Sequence, residues 1–331
     1  MNAEPPAANT TPHAQAMPDA EPRPKRRFVD YLGLYARGFA MGASDIVPGV
    51  SGGTMALILG IYEELLDSIR AVLNREALGH ALRLRLKKAL DLIPWPFLLS
   101  VALGLFSAVL TMSYVLEWIL ERYPSLLWGF FFGLVVASIL TVGRRVAKWS
   151  IGPIVALIVG AVGTFFLVGA VPVQTPETWW FFFLSGALAI SAMVLPGISG
   201  AFILVLLGKY QTLLSAVTSL DVVPLFWVVA GAGIGIVSFA QVLGWLFKRF
   251  HDVTVAVLVG MLIGSLRKIW PWKETLQTMI DRHGKEIPIA ERNILLPALT
   301  WEVGATILLA VLGFVLIWQI SAWAERREKA E

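Results

Sequence analysis

Uncharged apolar stretches of membrane-spanning length recur along the chain, and short polar or basic clusters separate them. Ile151 to Val171, Thr178 to Gly208 and Val222 to Phe247 contain no charged residue. A run of about 18 or more such residues is a bilayer-crossing helix candidate. Further apolar runs cover Pro94 to Trp118, Pro124 to Gly143, Val253 to Leu266 and Val303 to Ala324. Phe28 to Ser68 is apolar too, but Arg37, Asp45 and a Pro-Gly break interrupt it. From Gly38 to Tyr62 is 25 residues, roughly 37 Å of helix at ~1.5 Å per residue. That is too short for two crossings of a ~30 Å core, so the pattern predicts a re-entrant helix–break–helix.

The same break occurs twice. Asp45-Ile-Val-Pro-Gly-Val-Ser-Gly-Gly-Thr54 returns as Met193-Val-Leu-Pro-Gly-Ile-Ser-Gly-Ala-Phe202, at a constant offset of 148. Gly60 meets Gly208 and Tyr62 meets Tyr210 at that offset. At an offset of 127, Trp118 meets Trp245, Arg122 meets Arg249, Gly133 meets Gly260 and Ser138 meets Ser265. Each copy is a hairpin followed by three spans.

Charge sets the orientation. Arg23 to Arg27 and the six Lys/Arg of 70–88 flank the first hairpin, which places both flanks in the cytoplasm. The flanks of the second, 172–177 and 218–221, carry no basic residue. It therefore enters from outside. A hairpin plus three spans changes sides, which agrees. The expected fold is an all-α polytopic membrane protein, an inverted repeat of about six full spans and two opposed re-entrant hairpins. Residues 1–27 form a disordered basic cytoplasmic tail, 28–171 and 172–324 the two repeats, and 325–331 a second cytoplasmic tail. One segment opposes the scheme: 267–292 holds six basic residues yet falls outside. The expectation for Trp272 to Asn293 is an amphipathic helix on the outer face.

Composition agrees with the class. Of 331 residues 57% are hydrophobic and 15% charged, with mean hydropathy +0.72, against about a quarter charged in soluble domains. There is no cysteine, which excludes thiol catalysis and thiolate metal sites. His13, His80, His251 and His283 form no metal-spaced pair, and no catalytic triad, metal site or cofactor is expected. The basic 70–88 segment suits anionic lipid headgroups rather than nucleic acid.

Irregular backbone at membrane depth survives only against protein or a wet cavity. After each break a half-helix begins, at Ser51-Gly52-Gly53-Thr54 and at Ser199-Gly200-Ala201. Its first N–H groups lack helical partners and carry the positive dipole end. These seven residues are the candidate anion site, for phosphate or carboxylate. The competing reading makes the breaks mere kinks or close-packing points; their pairing argues against it. Arg37 and Asp45 lie eight residues apart on one helical face. Either they pair and act in transport, or Arg37 snorkels and Asp45 caps the break. Glu63 is a further charge or proton-coupling candidate. Lys209 and the paired tyrosines read as interfacial.

Pro48-Gly-Val-Ser-Gly-Gly-Thr54 with Leu59-Gly-Ile-Tyr-Glu63, and the echo Leu195-Pro-Gly-Ile-Ser-Gly200 with Leu207-Gly-Lys-Tyr210, resemble the PopT family of bacterial membrane proteins over about residues 30–320. The resemblance implies flipping of undecaprenyl phosphate from the outer to the inner leaflet of the cytoplasmic membrane, for reuse in cell-wall synthesis. A polyprenyl-phosphate lipid and membrane lipids are then the partners. Two alternatives stand beside it. One is an undecaprenyl-diphosphate phosphatase-like enzyme, although Gly52-Gly53 and Gly200-Ala201 occupy the place of the Arg such enzymes carry. The other is an ion-coupled transporter of a small soluble anion. Proton or sodium coupling and the oligomeric state stay open.

Overall fold

The computed structural model describes residues 26–46, 51–72, 83, 85–280, 286–295, 297 and 300–328. Residues 1–25 of the expected tail, Pro48 to Val50 of the first break, most of 73–84, and 329–331 lie outside them. The first hairpin is α1 (Phe28–Ile46), α2 (Gly52–Ile58) and α3 (Tyr62–Val72). Then come α4 (Leu86–Leu92), α5 (Trp95–Arg122), α6 (Pro124–Gly143) and α7 (Ile151–Leu167). The second hairpin is α8 (Trp179–Val194), α9 (Gly200–Leu206) and α10 (Tyr210–Ser219), followed by α11 (Val222–Arg249) and α12 (His251–Ile269). Strands β1 (Lys273–Ile280) and β2 (Glu286–Asn293) precede α13 (Trp301–Glu328).

The duplication extends to the caps. Helices α2 and α9 are seven residues each and start 148 apart, and α5 and α11 are 28 residues each and start 127 apart. The turn residues Tyr123 and Phe250 share φ/ψ near −138°/55° and −137°/53°. Gly60 (φ 73°) and Gly208 (φ 63°) end the two half-helices in the left-handed region, where only glycine sits without strain. The second pair, α9 and α10, is bent by 110°.

Small residues let the backbones approach. Gly38 of α1 rests on the Val101 carbonyl of α5, and Gly186 of α8 rests on Val228 of α11. In the remaining pairs the halves exchange partners. Helix α6 packs on α13, with Gly133 against the Ala310 carbonyl; α12 packs on α7, with Gly260 against the Leu157 carbonyl. The second span of each half thus pairs with the third span of the other. Helix α12 lies at the centre, with Val255, Leu258, Val259 and Leu262 buried. Asp252 at its start accepts the Ala147 and Lys148 amides at 3.1 and 3.0 Å, which ties it to the α6–α7 loop.

The chain is a multi-pass membrane protein. Helices α5, α6, α11 and α13 are long and apolar enough to cross a bilayer, and the bent α9–α10 pair raises the number to five if it counts as one span. Helix α7 is shorter, with 17 residues, and α12 carries Asp252, Arg267 and Lys268 at its ends. Large apolar side chains such as Phe106, Leu110, Val159, Phe166, Val229 and Leu308 face outward, as lipid contact demands.

The expected amphipathic helix over Trp272 to Asn293 is not formed. An antiparallel two-stranded ladder, with Lys273 opposite Asn293 and a bulge near Gln277, takes its place. Pro288 cannot sit inside a helix without removing a hydrogen bond. Thr275 and Thr278 favour the strand, and the five residues between the strands include Gly284, a hairpin signal. The chain is therefore helical except for this hairpin among the described residues. Helix α13 also runs to Glu328, into the stretch expected as a tail.

The glycine contacts give a stability test. Gly133→Leu has no room against Ala310 and is expected to cost about 3 kcal/mol or more by overpacking. Gly163→Ala, with no heavy atom within 4 Å, is expected to leave stability unchanged or raise it by up to about 1 kcal/mol. Thermal unfolding in detergent reads both.

Candidate functional site

The two breaks meet. Ser51 caps α2: its Oγ accepts the Gly53 amide at 3.1 Å and donates across to the carbonyls of Met193 at 3.0 Å and Leu195 at 3.4 Å. Thr54 Oγ1 accepts the Gly197 amide at 2.8 Å. Gly197 has φ 85°, and a Cβ there would lie 2.9 Å from Ser265 Oγ, so the second break sits tight on α12. Gly53 is needed for the contact itself, because a Cβ would lie 2.5 Å from the Val194 carbonyl oxygen. Ser51 and Thr54 are each only 1% exposed.

The two half-helix starts differ. Asp45 Oδ1 accepts the Gly52 amide at 2.6 Å, so a carboxylate already stands on the positive end of α2. With Gly53 capped by Ser51, this start is closed by the protein's own groups. At α9, Ser199 is half-buried and makes no side-chain capping bond, Gly200 is buried and Ala201 is exposed. The second start is the open one.

The expected Arg37–Asp45 pair does not form. Eight residues are about 12 Å along a helix, and Asp45 turns forward to the break. Arg37 is half-buried, and no ion pair at it appears among the described residues. Glu63 lies apart from the breaks, exposed in the first turn of α3, where a carboxylate suits the helix dipole. It shares a cavity of about 90 Å³ with Asp67, Arg70 and Lys248 on α3 and α11. Arg70 fastens that contact, donating to the Ala240 and Gln241 carbonyls, each at 2.8 Å. Two of the residues read as interfacial are enclosed by protein. Tyr62 is 2% exposed and packs on Phe247, whereas its repeat mate Tyr210 is exposed. Lys209 is 1% exposed, because its Nζ donates to the Thr175 carbonyl at 2.7 Å and lies near the rings of Phe181 and Phe182.

A second polar feature lies at the C-terminal ends of α7 and α12. A cavity of about 250 Å³ is bordered by Gly169, Phe202, Arg267, Lys268, Lys273 and Glu291, among others. Arg267 donates to the Phe165 carbonyl at 3.0 Å and lies over its ring. Lys268 donates to Glu291 at 3.0 Å. Lys273 Nζ is 3.6 Å from Glu291, lies 4.3 Å from the Trp128 ring centroid, and has no hydrogen-bond partner among the described residues. Burial pushes the Lys273 amine down to about 8, despite Glu291, and the Lys268 charge adds to the shift. Burial disfavours the Glu291 carboxylate, but Lys273 and Lys268 outweigh it and hold the group below its usual value. One carboxylate thus serves two lysines. The excess of basic residues in this segment was visible in the sequence; their convergence on a cavity was not.

A family profile described as undecaprenyl phosphate translocase-like matches residues 41–287. The chain belongs to this family. Over 266 residues it is 40% identical to a polyprenyl-phosphate transporter of Vibrio cholerae, covering 80% of this chain and 86% of the relative. Over 258 residues it is 28% identical to a polyprenyl-phosphate transporter of Staphylococcus aureus, covering 71% and 84%. No solved structure matches. The translocase-like match includes every predicted site residue except Arg37, together with Arg267, Lys268 and Lys273 of the cavity.

Two outcomes are expected of this translocase-like chain. Thr54→Val leaves the Gly197 amide without its acceptor and should lower stability by about 1–3 kcal/mol, while Thr54→Ser keeps most of it; thermal unfolding in detergent compares the two. An unfolded lysine holds its proton to about 10.5, but folded Lys273 releases it near 8. The unfolded chain binds more protons between these values, so stability rises with pH across that window. Lys273→Met should flatten the rise, which unfolding midpoints measured from about pH 8 to about pH 10 would show.

Proposed function

We propose that this protein carries undecaprenyl phosphate, or a closely related polyprenyl phosphate, from the outer to the inner leaflet of the bacterial cytoplasmic membrane. In this reading it is a transporter and releases no phosphate. The carrying observation is the direct meeting of two broken helices through their break residues, with one half-helix start closed and the other open. The names of the two relatives support the cargo.

The physics of the cargo suits such a device. A prenyl tail stays in hydrocarbon throughout, and only the phosphate needs a path. An unpaired charge crossing bare hydrocarbon costs many kcal/mol. Short half-helices contribute amides and hydroxyls that replace hydration part-way across. Each is seven residues, so the hydroxyls and individual N–H groups matter more than a long dipole. Ser199, Gly200 and Ala201 form the open part of the headgroup site, and Ser51, Gly52, Gly53 and Thr54 the part now closed by Asp45 at the Gly52 amide, by the Ser51 cap on Gly53 and by the Thr54–Gly197 bond. The headgroup takes the inner part when Asp45 moves aside or is protonated, which makes Asp45 the coupling residue. The repeats are inverted, with six full spans and both termini cytoplasmic, and one repeat rocks against the other to expose the site to each leaflet in turn.

Labelled undecaprenyl phosphate in proteoliposomes tests this. The native protein should move the lipid between leaflets, with no phosphate released from the mono- or diphosphate lipid. Ser199→Ala should slow movement about tenfold, the value of one hydrogen bond to a charged group, without lowering the unfolding midpoint. Ser51→Ala should slow movement and also destabilise, because Ser51 joins the hairpins. Asp45→Asn should change the pH dependence of transport. Phosphate release would favour the phosphatase-like enzyme, and uptake of free phosphate without lipid movement a soluble-anion transporter.

A further inference from the structure

The cavity between α7, α12 and β1 has an unmet requirement. Arg267, Lys268 and Lys273 bring three positive charges and Glu291 one negative, so these four residues sum to +2. Lys273 Nζ lies in the wall without a hydrogen-bond partner, its side chain 8% exposed. Glu291, 3.6 Å away and shared with Lys268, and the Trp128 ring offset only part of the cost of burying this ammonium, and an anion in the cavity would offset more of it. Snorkelling to lipid headgroups does not account for it, since this amine is turned into the protein. The segment also holds basic charge on the side where the membrane-orientation rule disfavours it.

We propose that this cavity is a second phosphate-monoester site, separate from the breaks, which receives the headgroup before it moves inward. It rests on the transport reading above for its lipid cargo and for its placement at the outer leaflet. A phosphate monoester carries one to two negative charges near neutral pH and matches the excess of +2. Lys273 and Lys268 would donate to its oxygens, and Arg267 supplies a further positive charge in the wall.

The surroundings fit a prenyl phosphate in two more respects. The cavity borders the open half-helix: Phe202, in its wall, belongs to α9 and is three residues beyond Ser199. Ser265, which touches Gly197, is three residues before Lys268, about 4.5 Å of helix rise at ~1.5 Å per residue. An apolar groove of about 320 Å³ runs between α6 and α13, walled by Phe132, Trp270, Trp272, Ile307 and Phe314. The chain passes from Trp272 in the groove to Lys273 in the cavity. The charged and hydrocarbon ends of one prenyl phosphate thus find adjoining walls, and the groove takes the first isoprene units.

Calorimetric titration of the purified full chain in detergent, with geranyl phosphate, geraniol and inorganic phosphate as probes, tests the site. Geranyl phosphate should bind more tightly than inorganic phosphate, and geraniol weakly or not at all. Lys268→Gln with Lys273→Met should weaken geranyl phosphate by about tenfold or more, and Lys273→Arg should keep most of the affinity. Where the unfolding midpoint of the double variant collapses, Lys268→Gln alone is read in its place. In proteoliposomes the double variant should raise the half-saturating lipid concentration. Unchanged binding in the lysine variants overturns the site even if the native protein flips lipid. Equal binding of geranyl phosphate and inorganic phosphate overturns the lipid assignment in favour of free phosphate. Lysine-dependent binding by a protein that moves no lipid would uphold this site and defeat the transport reading instead.

Discussion

A helix broken inside hydrocarbon exposes backbone groups that lipid cannot satisfy, and this constraint organises the molecule. Each hairpin answers it with the other. The Ser51 hydroxyl reaches the Met193 and Leu195 carbonyls, and the Gly197 amide reaches Thr54. These bonds join the start of α2 to the second break, so the two halves are bound where regular structure ends. Small residues are required there for geometry as much as for flexibility. A side chain at Gly53 would push the hairpins apart and leave the same polar groups stranded.

The exchange of helices between halves follows the same logic. With α6 on α13 and α12 on α7, the halves cannot drift apart as independent bundles. Because lipid offers no hydrophobic drive for helix association, closeness is supplied by glycine at repeated positions, such as Gly133 and Gly260. A frame of this kind holds two short half-helices in register and still leaves α9 open on one side.

Within a repeated frame the informative features are the departures from symmetry. Asp45 sits where the second half has Met193, and Lys209 where the first has Ile61. Asp45 closes one half-helix start, and no carboxylate occupies the matching place at the other. Lys209 is absorbed by the Thr175 carbonyl and two aromatic rings, while Lys273 shares the single carboxylate of Glu291 with Lys268. Charge is therefore distributed unevenly over the repeated frame.

The sequence by itself determined the class and the repeat. Uncharged runs fix a membrane protein because backbone and side chains must both be tolerable in lipid, and Pro-Gly-x-Ser-Gly marks a break wherever it stands. The offsets of 148 and 127 could be read without coordinates and reappear as matched helices and turns. Pro288 and Gly284 also carried a hairpin signal, which the amphipathic-helix expectation for that segment passed over. What only the tertiary structure decided were contacts between residues distant along the chain. Asp45 turns to Gly52 and not to Arg37, Tyr62 goes inward while Tyr210 stays out, and Arg267, Lys268 and Lys273 converge with Glu291 on one cavity. Helical periodicity describes one element's faces; what meets each face depends on how α7, α12 and the strands are brought together, and that is a property of the packed whole.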